Sequence, residues 1–409
     1  MKIIIKNASI TKFEILCLAI LVPSVCPMYL LIKWPILDQI MDGWKLGALL
    51  CVLLFFVNKK GIRFHPVTIY FGIYWIVLLL ITFINQGDLR ACVALAITVM
   101  ENVLLFDYII SAQKYRVINL YLLILKMLIW INLVSILIFP NGMYETRSYD
   151  GSWVENSCWF LGYKNNYIGI IFLAILMSVY LAILKTGNVD KKSILLIVVC
   201  FVETLLVDSA TSTVALLLLL ILILIKPVKR IINKINVYVI VLVQMGAFIL
   251  LVFFEIHNMF EKLIVNILGR SMTLSGRTFV WARAVELIKE NWFLGFGVQN
   301  TILVRKMLTK SWAGNCHNQY LEFFFLGGVI LFVIWTFILC LAAKNILHNN
   351  DKLISLIFKI LLFAVMTIMQ VEVLFSSNSM TPFWYVLYIM CRSDVYIKNA
   401  YLKETVYEY

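Results

Sequence analysis

Charge is what this chain has least of. Only 14% of its residues are Asp, Glu, Lys or Arg, against about 25% in soluble globular domains, and this excludes a water-soluble fold of ordinary composition. Histidine is confined to four positions and proline to seven. Pro66, Pro140, Pro227 and Pro382 fall at or near the ends of apolar runs, where a helix-breaking ring is tolerated. Nine cysteines are scattered without a Cys-x-x-Cys pair or a Cys/His spacing, so neither a redox dithiol nor a zinc site is expected.

What is abundant is apolar surface, 63% of the residues. Stretches of roughly 20 apolar residues recur along the chain, as in a polytopic membrane protein. The pattern predicts an all-α fold of about twelve transmembrane helices, near 13–32, 38–57, 66–84, 90–110, 117–139, 158–184, 193–208, 212–226, 237–256, 317–343, 353–374 and 379–391. Residues 1–409 read as a single integral membrane domain. The first run is followed by Lys33-Trp34-Pro35 rather than a small-residue cleavage site, so it reads as a first span and not as a signal peptide.

The net charge of +13 is distributed as a topology signal. Alternate connections carry 20 basic residues, from Lys2, Lys6 and Lys12 to Arg392, Lys398 and Lys403. The short connections between them carry only Lys33, Lys45, Arg90 and Arg147. Short loops rich in Lys and Arg stay cytoplasmic. Both termini are therefore expected inside, and nucleic-acid binding is not expected. Two longer loops fall outside, 140–157 and 257–316, the second between spans nine and ten.

The second loop holds the longest polar stretch, Ser275 to Glu322. Trp281, Ala284, Val285, Ile288 and Trp292 recur at helical spacing and form one stripe, with Arg283, Glu286 and Glu290 opposite. If the helix extends back to Arg277, that side chain lies on the tryptophan side. An inward arginine at a helix start suits an anion, because backbone N–H groups and guanidinium act together; the alternative is that it ties down a loop carbonyl or carboxylate. A second amphipathic piece, 302–310, reads as a helix lying along headgroups. His317, followed by Asn318 and Glu322, is of the residue type best suited to proton transfer near neutrality, or serves as a hydrogen-bonding anchor. Glu101, Lys126 and Glu203 fall within spans, where charge either lines a passage or is paired structurally. Cys158 and Cys316 fall on one side, where a disulfide is open to them.

The segments "SGRTFVWARAVELIKENWFLGFGVQN" and "HNQYLEFFFLGGVILF" resemble the O-antigen ligase and O-antigen/capsule polymerase superfamily, integral membrane glycosyltransferases with about a dozen spans and a large late exterior loop. The family pattern is an arginine before the amphipathic helix, a Gly-x-Gly after it, and a His-Asn…Leu-Glu opening the next span. These fall on Arg277, on Gly295 and Gly297, and on His317, Asn318, Leu321 and Glu322. Weaker echoes are "LGYKNNYIGI" (161–170) and "DSATSTVALLL" (208–218). In many ligases the latter turn carries an arginine; here it reads Thr211-Ser212-Thr213.

The resemblance implies metal-independent transfer of a glycan from undecaprenyl diphosphate to a hydroxyl, at the outer face of the bacterial inner membrane. No cofactor is implied. The absence of any Asp-x-Asp pair agrees, since a sugar-nucleotide enzyme would use such carboxylates to hold a metal on phosphate. The catalytic expectation is Arg277 for the departing charge and His317 for the attacking hydroxyl. Arg147, Lys164, Asn165, Arg270, Asn318 and Glu322 are expected around the substrate. Glu145, Asp150, Glu155, Asp208 and Glu372 are exterior carboxylates able to replace His317 as base. Within the superfamily a repeat-unit polymerase for O-antigen or capsule leads. A ligase to lipid A-core or protein is the alternative, and a lipid-linked oligosaccharide flippase is a third reading. Expected partners are the lipid-linked oligosaccharide, the bilayer and other polysaccharide assembly proteins.

Overall fold

A computed structural model describes residues 10–58, 64–147, 154–254, 276–376 and 380–392. The fold is dominated by helices packed around one continuous apolar core. Among the described residues six helices are long and apolar enough to cross a membrane, and a seventh is obtained if a bent pair counts as one span. The six are α4 (Pro66–Ile84), α5 (Leu89–Ser111), α6 (Tyr115–Ile138), α7 (Ile168–Thr186), α14 (Gln319–Leu347) and α15 (Lys352–Met369). The bent pair is α9 (Ala210–Leu224) and α10 (Lys226–Lys234), which meet at 91°. The other helices are α1 (Lys12–Leu21), α2 (Met28–Lys33), α3 (Pro35–Asn58), α8 (Lys191–Leu206), α11 (Val237–Phe253), α12 (Arg277–Glu290), α13 (Thr301–Met307) and α16 (Pro382–Cys391).

Two of the expected spans take another form. The run 13–32 is divided into α1, a 3₁₀ turn over Val22–Val25 and α2, because Pro23 and Pro27 interrupt the helical ladder. The run 158–184 becomes helical only at Ile168. Its first residues complete a small antiparallel sheet of β1 (Tyr144–Arg147), β2 (Val154–Trp159) and β3 (Gly162–Tyr163), paired in that order. Ser, Cys, aromatic and glycine residues from 157 to 163 suit a strand and turn better than a helix, and apolar content alone does not distinguish the two. The fold is thus helical with one sheet at a helix end.

Burial agrees with a lipid surround. Every residue from Ile168 to Leu184 is buried, so α7 is a central helix, apolar on all sides; α16 is buried throughout beside it. On the outer helices large apolar side chains face away from the core, among them Ile76, Leu80, Leu123, Val134 and Leu242. Water would penalise such a surface and lipid accepts it. The buried acids within helices are paired: Glu203 Oε1 accepts from Asn132 Nδ2 at 3.2 Å and Glu101 Oε1 from Asn102 Nδ2 at 3.2 Å.

The stretch 292–297 docks on a break in α14. Gly327 and Gly328 there leave helical geometry, and the freed backbone groups are satisfied from the neighbouring loop. Phe296 N donates to Phe325 O at 2.7 Å, Gly297 N to Leu326 O at 2.8 Å, and Val329 N to Trp292 O at 2.9 Å. Gly295 and Gly297 both have positive φ, so the Gly-x-Gly pattern serves close backbone packing here.

Candidate active site

The site is assembled from four separate segments at one end of the bundle. Arg277 is the first residue of α12, whose N-cap is Gly276 at φ +86°. A Cβ on Gly276 would stand 3.0 Å from the Trp312 ring, so only glycine lets the chain turn into the helix there. Val280, Trp281, Ala284 and Leu287 are buried, while Trp292 is 60% exposed. The buried stripe is therefore rotated slightly from the expected one, and Trp292 lies beyond the helix end, outside its periodicity. Arg277 is on the inward side, as the wheel predicts.

Arg277 spans two acceptors on the connection between α15 and α16. Its Nη1 donates to the Val371 carbonyl and its Nη2 meets Glu372 Oε1 at 2.5 Å. This is the carbonyl-and-carboxylate alternative weighed for Arg277. Glu372 Oε1 also accepts from Asn165 Nδ2 at 3.1 Å, and Asn165 Oδ1 accepts from Ser209 Oγ at 2.8 Å. His317 places Nδ1 3.9 Å from Glu372 Oε2, within ion-pair range and beyond a hydrogen bond. Neither ring nitrogen of His317 meets a hydrogen-bond partner at bonding distance among the described residues, and the ring lies against Trp312, with centroids 5.3 Å apart. Its backbone adopts φ +48°, a left-handed conformation that costs a non-glycine residue of order 1 kcal/mol or more. His317 N donates to Asn315 Oδ1 at 2.9 Å, and His317 O accepts from Trp281 Nε1 at 3.3 Å.

The two loops that meet here are latched together. Asn318 caps α14 by accepting from Tyr320 N and Leu321 N, and its Nδ2 donates to Gln370 O at 2.8 Å. Gln319 Oε1 accepts from Leu374 N at 2.6 Å and Phe375 N at 2.8 Å. Glu322 Oε2 accepts from Cys316 N at 2.8 Å, closing the turn that presents His317. Asn318 and Glu322 thus shape the loop, and their contacts are with protein groups.

Of the remaining expected positions, Lys164 adjoins Asn165 on the turn before α7. Arg147 closes β1, and its side chain lies outside the described part; Arg270 lies wholly outside the described residues. Cys158 and Cys316 are both buried, and no disulfide joins them. The 302–310 piece forms α13, with Val304 and Leu308 buried in the core. Met307 O accepts from Arg283 Nε at 3.1 Å, so this helix is docked on α12 rather than lying free. Among the described residues no cluster of His, Cys, Asp and Glu is arranged to hold a metal.

Glu372 is the hub that sequence reasoning counted only as one exterior carboxylate among several. A lone acid at the end of an apolar run was its only signal. Burial pushes its carboxyl up; the Arg277 guanidinium, and after it His317, outweigh this and hold it below the usual carboxylate range. A depressed folded-state pKa contributes stability above the unfolded value, near 4 for a carboxylate, and that stability is lost as pH falls through the folded value. The melting temperature of Glu372→Gln should therefore lie below wild type at neutral pH, with the gap closing only below about pH 4. A gap unaffected by acid would mean that the charge of Glu372 is not its source.

Residues 193–336 match the family model described as Wzy_C, O-Antigen ligase. The match takes in Asp208, Arg277, His317, Asn318 and Glu322; Asn165 and Glu372 lie outside it. No curated protein and no solved structure matches the chain.

Proposed function

We propose that this chain, whose residues 193–336 carry the O-antigen ligase family's signature, is a metal-independent membrane glycosyltransferase. It polymerises lipid-linked repeat units at the outer face of the bacterial inner membrane, with both termini inside. The observation that carries this reading is the convergence of a guanidinium, a carboxylate and an imidazole, from 277, 372 and 317, at one end of a lipid-facing bundle.

The bond that breaks joins a sugar C1 to the oxygen of undecaprenyl diphosphate; the bond that forms joins C1 to the acceptor hydroxyl oxygen. The diphosphate leaves with the electron pair, and the hydroxyl proton is taken up at His317. Since the leaving group is a good one, the largest contribution comes from preorganised positive charge beside it. Arg277 offers five N–H donors, and Val371 and Glu372 engage only one each on Nη1 and Nη2. The remaining donors face the diphosphate, with Lys164 supplying a second cation. Glu372 holds the guanidinium in place and balances an imidazolium formed on His317. Asn165 ties this centre to Ser209 at the start of α9. The arginine-free Thr211-Ser212-Thr213 turn favours polymerase over ligase.

In a glycan-producing host, Arg277→Ala and His317→Ala, compared with wild type at matched levels of folded protein, should each abolish long-chain polymer and leave single-repeat glycan. Polymer retained on its lipid carrier would indicate a ligase instead, and loss of outward-facing repeats a flippase. Wild-type polymer from both variants would overturn catalysis by this centre.

A further inference from the structure

Beside the charged centre, and sharing with it the His317 turn and the connection after α15, lies a cavity of about 580 Å³, within the ~300–1,000 Å³ of small-molecule sites. Its walls come from the facing ends of α4 and α5, the stretch 298–304, Gly314 and Asn315, Glu322, and Phe375 and Ser376. We propose that it binds the sugar of the incoming acceptor, and that it takes a neutral or amino-bearing saccharide and disfavours an acidic one. This rests on the glycosyltransferase reading above and adds the substrate class.

The lining has the chemistry of saccharide recognition. Trp75 offers an aromatic face, and Gln299, Asn300, Thr301 and Asn315 offer amide and hydroxyl groups. Two of its donors are left unused by the protein: Trp75 Nε1–H and Ser376 Oγ are shielded from solvent and neither has a hydrogen-bond partner. Trp75 is only 2% exposed. Buried polar groups are nearly always paired, so these two orphans, on residues that line the cavity from different elements, are donors that a small side-chain shift would offer to a ligand's oxygens.

The charges of the lining set the ligand class. Asp88 and Glu322 contribute carboxylates, and among the described residues no lysine, arginine or histidine lines the cavity. A diphosphate or a uronate would meet the Asp88 carboxylate with no cation among the described lining residues to offset it, whereas hydroxyl, acetamido or amino groups would find acceptors. The two halves of the reaction are thereby separated, with the anionic leaving group at Arg277 and the uncharged acceptor on the other side of the 315–317 turn. Asn315 belongs to both, since it lines the cavity and accepts from the His317 N–H.

The cavity is also preformed. Asp88 N donates to Val298 O at 2.7 Å, and Val298 N to Thr82 Oγ1 at 3.0 Å. A Cβ on Gly87 would come within 2.3 Å of Val298 O, and one on Gly297 within 2.6 Å of Thr82 Cα. The α4–α5 turn and the stretch 297–299 therefore touch backbone to backbone, and this wall needs no rearrangement to receive a sugar.

The test uses saturation-transfer NMR on the full chain in lipid nanodiscs. The probes are neutral disaccharides of glucose, galactose and N-acetylglucosamine, and a glucuronate-containing disaccharide. At least one neutral probe should receive saturation and the glucuronate probe much less. Trp75→Phe and Ser376→Ala each remove one donor that the protein itself leaves unused. Ser376→Ala should keep the wild-type melting temperature, Trp75→Phe should lower it because a buried core ring system loses volume, and both should weaken the neutral probe by roughly fivefold to tenfold, as expected for one lost hydrogen bond. Arg277→Ala should leave this binding intact while abolishing transfer, so failure of the catalytic reading and failure of this one are read in separate assays. Equal saturation of neutral and acidic probes, no saturation of any probe, or unchanged binding in both variants would overturn the proposal.

Discussion

Glu372→Ala is expected to stop polymer formation and to lower stability by about 3–5 kcal/mol, the cost of leaving one member of a buried ion pair uncompensated. Arg277 would keep its charge with only the Val371 carbonyl beside it. Arg277→Ala should be destabilising for the mirror-image reason, through the stranded carboxylate. The informative variant is the double one, Arg277→Ala with Glu372→Ala. Removing both charges relieves the uncompensated group, so the double variant should be more stable than the sum of the singles predicts, by about 1–3 kcal/mol in the mutant cycle. It should nevertheless remain as inactive as either single variant, because the cation beside the leaving group is gone; a fall of about 10²–10³-fold or more in transfer rate is the scale for one such electrostatic contact. Melting curves in nanodiscs and glycan length on gels supply the two readouts. A double variant that regains polymer together with stability would reduce the pair to a structural tie.

Gly295→Ala is the second large effect expected, and it acts on folding. Gly295 has φ +66°, and a Cβ there would stand 2.7 Å from three backbone atoms: Gly327 N, Gly328 N and Phe325 O. No side chain can swing aside, so the loop would have to lift from the break in α14 and give up the bonds of Phe296 and Gly297 to that helix. Left-handed strain and lost packing together should cost about 3 kcal/mol or more. Little monodisperse protein should be recovered at 37 °C. Gly43→Ala and Gly47→Ala are the matched controls, since nothing lies within 4 Å of an added Cβ at either position of α3. They should be neutral or gain up to about 1 kcal/mol from helix propensity. Similar recovery of Gly295→Ala and the controls would show that the loop does not need this contact.

The long apolar runs made most helices legible: 66–84 in the sequence is α4 to the residue, and the runs at 90–110, 117–139 and 193–208 are matched within two residues at each end. Where the runs misled, the reason is local. Pro23 and Pro27 break one, and the segment before Ile168 is apolar yet extended, because apolarity reports burial and not backbone conformation. Arg277 and His317 were legible from the wheel and from the motif resemblance. Their common partner was not. Glu372 and Asn165 lie 95 and 112 residues from Arg277, and only the folded chain brings such separations together. Asn318 and Glu322 were legible as important, but their cap and turn-closure contacts were not, since those roles use the same residue types as a binding site.

The right angle between α9 and α10 has a consequence for depth. Ser209, which is tied to the reacting end through Asn165, and the basic helix at 226–234 are separated only by the fifteen residues of α9, about 22 Å of helix. The hydrocarbon layer is ~30 Å thick. Lys226, Arg230 and Lys234 are exposed on α10, as on a basic helix that lies among headgroups; with α10 so placed, the far end of this short strut would stop below the opposite headgroups, and a bilayer around it would thin or dip there. Under the proposed function, a lipid-anchored diphosphate would then meet Arg277 within its own leaflet, without its tail being drawn out of the oil.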